Sequence, residues 1–319
     1  MLLDFPDIAG HEKETLFIIG NGFDKFHKLD TSYSDFHKWL KKEHQDFIDV
    51  IEAIFNEKSR EKFFDEERTV STLWTDFEAA LGMINADTAL DFLKDKYGDI
   101  INDGNALAQA TEKIKSTVAD VKTLMKEWAE SIDISHANRY FHLYNTSTYI
   151  TFNYTLTLEK CYNIDSKQIL HIHGNIEDDN IVVGCERDVY RTPGEGTQYQ
   201  RRYTKNINNE INLLNKPVDD LIVKHDKFFN SLASVTRVVV IGHSLSKIDQ
   251  PYLKEIVEKI KINNPQCHWH FSAFSDKDHQ KAAQFINSHL GGLENIVNNN
   301  HYIFNIRLIS GSENTTSEN

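Results

Sequence analysis

Hydrophobic positions along this chain follow a strand period first, then a helix period, and then alternate between the two. The run Thr15–Ile19 is short and mainly apolar and ends at a pair of glycines, which is the pattern of a buried strand entering a tight turn. From Thr31 to about residue 145, apolar residues recur at helical spacing after a Thr/Ser capping signal. No strand pattern interrupts this stretch. It predicts a helical insertion over residues 36–145.

Strand patterns return after the insertion and alternate with helix patterns. Strands are predicted at 147–152, 168–173, 181–183, 237–241, 267–273 and 302–309, and helices at 251–262 and 276–290. This alternation predicts an α/β fold, Rossmann-like, with a mainly parallel, doubly wound sheet. The predicted core combines residues 1–35 and 146–310, with 36–145 as its insertion. Residues 311–319 are small and polar, which predicts a flexible tail.

Composition and charge narrow the class of partner. The chain has 319 residues, 35 basic and 48 acidic, with a formal charge of −13, so direct binding to nucleic acid is not expected. Its three cysteines form no CxxC pair and predict neither a disulfide framework nor a cysteine zinc site. No apolar run approaches the roughly 20 residues that span a bilayer, and the N-terminus lacks a signal-peptide pattern. We therefore expect a cytoplasmic protein without a membrane partner.

Several polar motifs stand where predicted strands end. Gly20-Asn21-Gly22 follows the first strand, and such a turn lets the backbone approach a pyrophosphate, although a simple tight turn explains two glycines equally well. Asn153 and His173 each stand at the end of a later predicted strand. Because the carboxyl ends of parallel strands share one edge of a sheet, these groups are expected at a common crevice.

Six sequence blocks resemble the AbiH family of phage abortive-infection proteins, in the order expected for that family. The blocks are 17–24, 31–36, 74–78, 151–159, 171–174 and 241–245, which read FIIGNGFD, TSYSDF, WTDFE, TFNYTLTLE, HIHG and IGHSL. The matches span about residues 15–255. This resemblance implies a role in abortive infection.

The same blocks resemble, more remotely, the sirtuin-like NAD-binding domain. That resemblance implies catalytic roles for Asn153 and His173 at the nicotinamide ribose. The residues that it implies for dinucleotide binding are Gly20, Asn21, Gly22, Phe23, Asp24, Gly242, His243 and Ser244. The glycine turn is expected at the phosphates of NAD, and the later loop is expected near its adenosine half.

The implied activity is hydrolysis of NAD, which is then a substrate. The zinc module of the sirtuins is built on two CxxC pairs and has no counterpart here, so protein deacylation is not expected. Breaking the nicotinamide–ribose bond needs an oriented ribose and an activated water, which Asn and His side chains can supply. His171 and His173 lie on one face of a predicted strand, and Gly174 marks its end beside His173. Which of the two histidines is the base stays open.

Metal binding and additional carboxylates are alternatives at the same edge. His171 with His173 and His268 with His270 have the spacing of two metal-ligand pairs, but alternation on a half-buried strand explains the second pair better. We therefore expect no metal. Carboxylates that could reach the site are Asp24, Asp35, Glu78 and Glu159. Among these, Glu78 is the first to test. A G-x-S-x-G elbow is absent, so a serine hydrolase is not expected.

Two other classes of function stay open. Lys28, Asp30 and Thr155 depart from the patterns of the resembled families, which favours a non-catalytic sensor of NAD or ADP-ribose that signals to a partner protein. A purely structural interaction protein would bind no nucleotide. The resemblance also implies control of the activity by a homo-oligomer or by a regulatory defence partner, with the helical insertion as the contact surface.

Overall fold

The computed structural model describes residues 2–54, 74, 76–82, 84, 89, 104–185, 198–292 and 301–305. The strands are β1 (Thr15–Ile19), β2 (Thr148–Thr151), β3 (Ile169–His171), β4 (Arg237–Ile241), β5 (His268–Ala273) and β6 (His301–Asn305). The helices are α1 (Asn21–Phe26), α2 (Tyr33–Glu43), α3 (Gln45–Ile54), α4 (Phe77–Leu81), α5 (Gly104–Ser131), α6 (Thr157–Tyr162), α7 (Gln198–Asn212), α8 (Val218–Lys224), α9 (Asp226–Ser231), α10 (Gln250–Asn263) and α11 (Asp276–His289).

The described strands form one parallel sheet with the order β3-β2-β1-β4-β5-β6. This confirms the predicted Rossmann-like α/β fold. Strand β1 lies at the centre, where Ile19 is opposite Thr151 on one side and Ile241 on the other. The strand order reverses between β1 and β4, and ligands of open α/β sheets bind beyond the carboxyl ends of the strands at such a point.

Strand β1 is buried on both faces, which explains its nearly continuous apolar sequence. Leu16 and Ile18 pack into a core with helices α8 to α11 on one side of the sheet. Phe17 and Ile19 point the other way and pack with helices α1 and α6. Helices therefore cover both faces of the sheet, and polar groups at the strand ends are left for a site.

The described helices from α2 to α5 pack around a separate core. Ser32 caps the start of α2, where its Oγ accepts a hydrogen bond from the Asp35 amide at 3.2 Å. Phe36 of α2 packs against Trp128 of α5 with ring centroids 5.1 Å apart. Helix α7 follows β3 in the chain, yet it packs against α5 as well. This helical layer thus draws on two separate stretches of sequence.

The strand predicted at 168–173 is shorter than its pattern suggests. Strand β3 covers only Ile169–His171, and a turn follows in which Gly174 has a φ of +78°. His173 therefore lies in the turn beyond the strand, where the chain leaves the sheet.

The prediction of a strand at 181–183 is wrong. The segment is irregular, and its Val182 amide donates to the carbonyl of His173 at 2.8 Å. Ile181 and Val183 are buried against the helical layer, and Val182 is half-buried against the core beside the sheet, so the run has the composition of a strand. The predicted strand residues 306–309 and the predicted tail 311–319 lie outside the described residues. No helix in the described part of the chain is long and apolar enough to cross a membrane.

Candidate functional site

A cleft of about 1030 Å³ opens at the carboxyl ends of the strands, between the sheet and the helical layer. Pockets for small ligands commonly reach about 1,000 Å³, so a ligand as large as a dinucleotide has room here. The predicted site residues that line the cleft are Gly20, Asn21, Gly22, Asp24, Asn153, His173, Gly242, His243 and Ser244. Phe23 is fully buried in the core, 5.6 Å from the ring of Phe141, so it contributes packing.

Two loops meet at the centre of the cleft floor, and glycines make their contact possible. Gly242 has a φ of +65°, and a Cβ there would lie 2.1 Å from the Phe23 amide nitrogen. A Cβ on Gly20 would lie 2.5 Å from the Cα of His243. The Gly22 amide donates to the Gly242 carbonyl at 2.8 Å. The glycines are therefore required by the contact between the loops, whatever the cleft binds.

Asp24 is a buried carboxyl group beside the end of β2. Its Oδ2 accepts a hydrogen bond from Thr155 Oγ1 at 2.5 Å, whereas Oδ1 has no hydrogen-bond partner among the described residues. The Asn153 side chain lies next to it and donates to the Gly20 carbonyl at 3.2 Å. Burial raises the pKa of Asp24 to about 6, although the hydrogen bond from Thr155 opposes the shift. This carboxyl group can hold or release a proton near neutral pH.

His171 is held by protein groups through both of its ring nitrogens. Nδ1 contacts the Asn153 carbonyl at 3.1 Å, and Nε2 contacts Glu159 Oε1 at 2.8 Å. His171 does not line the cleft. It contacts the backbone of Asn153, and Asn153 does line the cleft. Its placement fits a residue that positions Asn153.

His173 lines the cleft, and its Nε2 is buried without a hydrogen-bond partner in the described part of the chain. The ring lies edge-on to Phe152, with centroids 5.4 Å apart. Burial lowers the pKa of His173 well below its usual value, and the charge of Lys216 adds to this. A histidine with a pKa near neutrality was expected here, but the imidazole is held in its uncharged form.

A second polar cluster lies in the wall formed by the helical layer. The Lys216 side chain is 1% exposed, and its Nζ is 2.8 Å from Glu78 Oε1 and 3.7 Å from Asp249 Oδ1. Asp249 Oδ2 accepts a hydrogen bond from Ser246 Oγ at 2.9 Å and lies 3.7 Å from His243 Nε2. Glu78 comes from the helices between β1 and β2, so this cluster joins the helical layer to the loop after β4.

The pKa values of the three charged groups in this cluster are shifted in different ways. Burial alone would lower the pKa of Lys216, but Glu78 and Asp249 raise it, so the ammonium is retained. Burial opposes ionisation of Asp249, yet the charge of Lys216 leads the interactions that lower its pKa. Burial raises the pKa of Glu78 against the attraction of Lys216, and repulsion from Asp249 adds to the rise. Glu78 is therefore the member that takes up a proton most readily.

Lys216 and Asp249 were not predicted from the sequence, whereas Glu78 was among the predicted carboxylates. Lys216 precedes Pro217 in a stretch with neither strand nor helix period, so no local signal marks it. Asp249 stands three residues after Ser246, just before α10, a spacing typical of a helix start. That signal indicates a structured turn and gives no hint of a buried charge.

The two histidine pairs considered as metal ligands lie on different parts of the sheet. His171 and His173 belong to the end of β3, and His268 and His270 belong to β5, with β2, β1 and β4 between them. Neighbouring strands are about 4.8 Å apart, so the pairs cannot share one metal ion. The His270 ring stacks on Tyr302 with centroids 5.1 Å apart, as expected for a packed strand residue.

The sheet order and the cleft at the reversal of that order define a Rossmann-like α/β protein with a large cleft at the switch point. The family described as Bacteriophage abortive infection AbiH matches residues 16–299. The chain belongs to this family, which confirms the AbiH resemblance. Comparison with curated proteins and with solved structures found no match.

Proposed function

We propose that this AbiH protein hydrolyses NAD at the nicotinamide–ribose bond and so depletes NAD during abortive infection. The observation that carries the proposal is a set of buried polar atoms in the walls of one cleft. Asp24 Oδ1 and His173 Nε2 each lack a hydrogen-bond partner within the described residues, and Asp249 Oδ1 has only the Lys216 ammonium, at 3.7 Å. Because buried polar groups are rarely left unpaired, such a cluster is typical of a ligand-binding site.

The position and size of the cleft support a dinucleotide as the ligand. It lies where the strand order reverses, which is where Rossmann-like sheets bind dinucleotides. Aromatic side chains supply apolar wall area beside the polar groups; those that line the cleft are Phe26, Tyr33, Trp74, Trp128, Phe152, Tyr154 and Phe274. Apolar walls with a few placed polar groups are the usual composition of a small-ligand pocket.

The reaction requires little from the protein beyond orientation and a proton acceptor. The C–N bond between ribose C1′ and nicotinamide breaks, and its electron pair goes to the pyridine nitrogen. A water oxygen bonds to C1′ and loses a proton, which leaves ADP-ribose, nicotinamide and H⁺. In our proposal Asn153 orients the ribose, and His173 accepts the proton through its unprotonated ring nitrogen. The negative charge of Asp249 opposes the burial that lowers the pKa of His173 and so favours the imidazolium that forms. Asp24, with a pKa of about 6, is positioned beside Asn153 to stabilise positive charge on the sugar.

Nicotinamide release, followed by chromatography, tests the proposal. Asn153→Ala and His173→Ala are expected to release nicotinamide about 10²–10⁴-fold more slowly than wild type, while their thermal unfolding temperatures stay close to that of wild type. His270→Ala is the matched control, since His270 is also a fully buried histidine with a lowered pKa but lies on β5 away from the cleft. It should lose stability and keep its specific activity. His171→Ala should lose less activity than His173→Ala and more than His270→Ala, because His171 contacts the Asn153 backbone.

Two results would replace this proposal. Full activity of folded His173→Ala would refute the assignment of the base. If the wild-type protein binds NAD or ADP-ribose but never releases nicotinamide, even in infected-cell extract, the nucleotide-sensor function would take its place.

A further inference from the structure

The glycine turn after β1 has few backbone donors left for a phosphate group. The Gly20 amide donates to the Ile241 carbonyl at 3.0 Å. The Gly22 amide donates to the Gly242 carbonyl at 2.8 Å, and the Phe23 amide donates to the Gly20 carbonyl at 2.9 Å. The first two of these hydrogen bonds hold the two loops of the cleft floor together, and the third closes the turn itself. A phosphate group in the cleft therefore needs its charge balanced by other residues.

Four lysines line the same cleft on its solvent side. Lys25, Lys247 and Lys277 are exposed, and Lys281 is half-buried. No carboxylate lies within ion-pair distance of any of the four in the described part of the chain. Lys216, deeper in the cleft, is paired instead with two carboxylates. Unpaired ammonium groups concentrated in one cleft stand out in a chain whose formal charge is −13.

Two of these lysines share a rigid element. Lys277 and Lys281 are four residues apart on α11, so their side chains leave the same face of the helix. Asp278, the acidic residue between them, is occupied at the start of that helix. Its Oδ2 accepts hydrogen bonds from the Phe274 amide at 3.2 Å and from Ser275 Oγ at 2.8 Å. Lys277 and Lys281 therefore remain available to an anion from outside the chain.

We propose that Lys277 and Lys281, together with Lys25 and Lys247, form a phosphate site at the mouth of the cleft that takes the diphosphate of a nucleotide. The site rests on the proposed nucleotide-binding function of the cleft, but it does not depend on bond cleavage. Lysine is a common phosphate ligand that acts as a point charge. The site would hold the middle of a dinucleotide, while the buried polar groups act on the sugar deeper inside.

Calorimetric titration with ADP, adenosine and inorganic pyrophosphate tests this site, because none of the three contains a nicotinamide–ribose bond. Wild-type protein should bind ADP more tightly than adenosine, and added salt should weaken the binding of ADP alone. Lys277→Met/Lys281→Met should weaken ADP binding by about tenfold or more and leave adenosine binding unchanged. If wild-type protein binds pyrophosphate and the double variant does not, the phosphates alone are sufficient for binding at this site.

Lys38→Met/Lys42→Met is the matched control. These two lysines are also four residues apart on one helix, removing them changes the net charge equally, and neither lines the cleft. The proposal is overturned if both double variants weaken ADP binding equally, if neither does, or if wild-type protein binds adenosine as tightly as ADP. If ADP binding depends on Lys277 and Lys281 but NAD is never cleaved, the phosphate site stands and the hydrolase proposal fails.

Discussion

Replacing Asp24 by asparagine should stabilise the protein at alkaline pH, because the fold holds this carboxyl group where ionisation is unfavourable. Its pKa rises from 3.8 to about 6 on folding, chiefly through burial. At about 1.36 kcal/mol per pKa unit, the ionised form costs the folded state about 3 kcal/mol at pH 8. A raised folded-state pKa contributes stability that is complete below about pH 4 and is lost as the pH rises through about 6.

The quantity to measure is the difference in unfolding free energy between Asp24→Asn and wild type, from urea denaturation at several pH values. That difference should shift by about 1 kcal/mol in favour of the variant between pH 5 and pH 8. Comparing pH values cancels any fixed cost of fitting an amide beside Thr155. If the difference does not change with pH, or changes the other way, the carboxyl group is not held as we describe.

Asp35→Asn is the control of opposite sign. Burial of Asp35 would raise its pKa, but hydrogen bonds from Lys38 and Ser32 outweigh this and lower it. Its ionised form therefore stabilises the fold above the unfolded pKa, and that stabilisation is lost as the pH falls through the folded value. Asp35→Asn should accordingly become more destabilising as the pH rises. Opposite pH trends for the two aspartates would separate local effects from a general effect of charge.

Two further predictions concern the walls of the cleft. Lys216→Met should destabilise the protein by about 3–5 kcal/mol in urea denaturation, because it leaves Glu78 and Asp249 buried without their counter-charge. Adding Glu78→Leu to this variant should recover part of the lost stability. A double variant no more stable than Lys216→Met would contradict this account. Gly242→Ala should cost about 3 kcal/mol or more, since its Cβ would meet backbone at 2.1 Å. The control is Gly10→Ala, because Gly10 has a φ of +88° but no atom lies within 4 Å of the new Cβ. This control should lose only about 1 kcal/mol of stability. Equal losses in the two variants would show that the backbone φ, and not the steric contact, causes the destabilisation.

The sheet could be predicted from the sequence where burial imposes a local pattern. Strands β1 and β4 were predicted with their observed bounds, because both are covered on two faces and consist mainly of apolar residues. The segment 181–183 has a similar composition for a different reason, since it is buried against helices. Local periodicity cannot separate these two cases, because both hide the same kind of side chain from water.

The candidate site was predictable only in part. Asn153 and His173 could be placed at one edge because both follow strands, and strand ends of a parallel sheet converge. Lys216 could not, because its partner Glu78 is 138 positions away and their contact depends on how the helical layer sits on the core. The lowered pKa of His173 also depends on that packing, since burial is its main cause.

The central pairing of the sheet has a consequence for the order in which the protein is made. Strand β1 leaves the ribosome well before its neighbour β4, and Thr236 Oγ1 donates to Glu14 Oε2 across 222 residues. Until β4 is synthesised, one edge of β1 is unpaired and the loop that forms half of the cleft floor does not exist. Because contacts so distant in sequence form late, the nascent chain has no assembled cleft until β4 has been made.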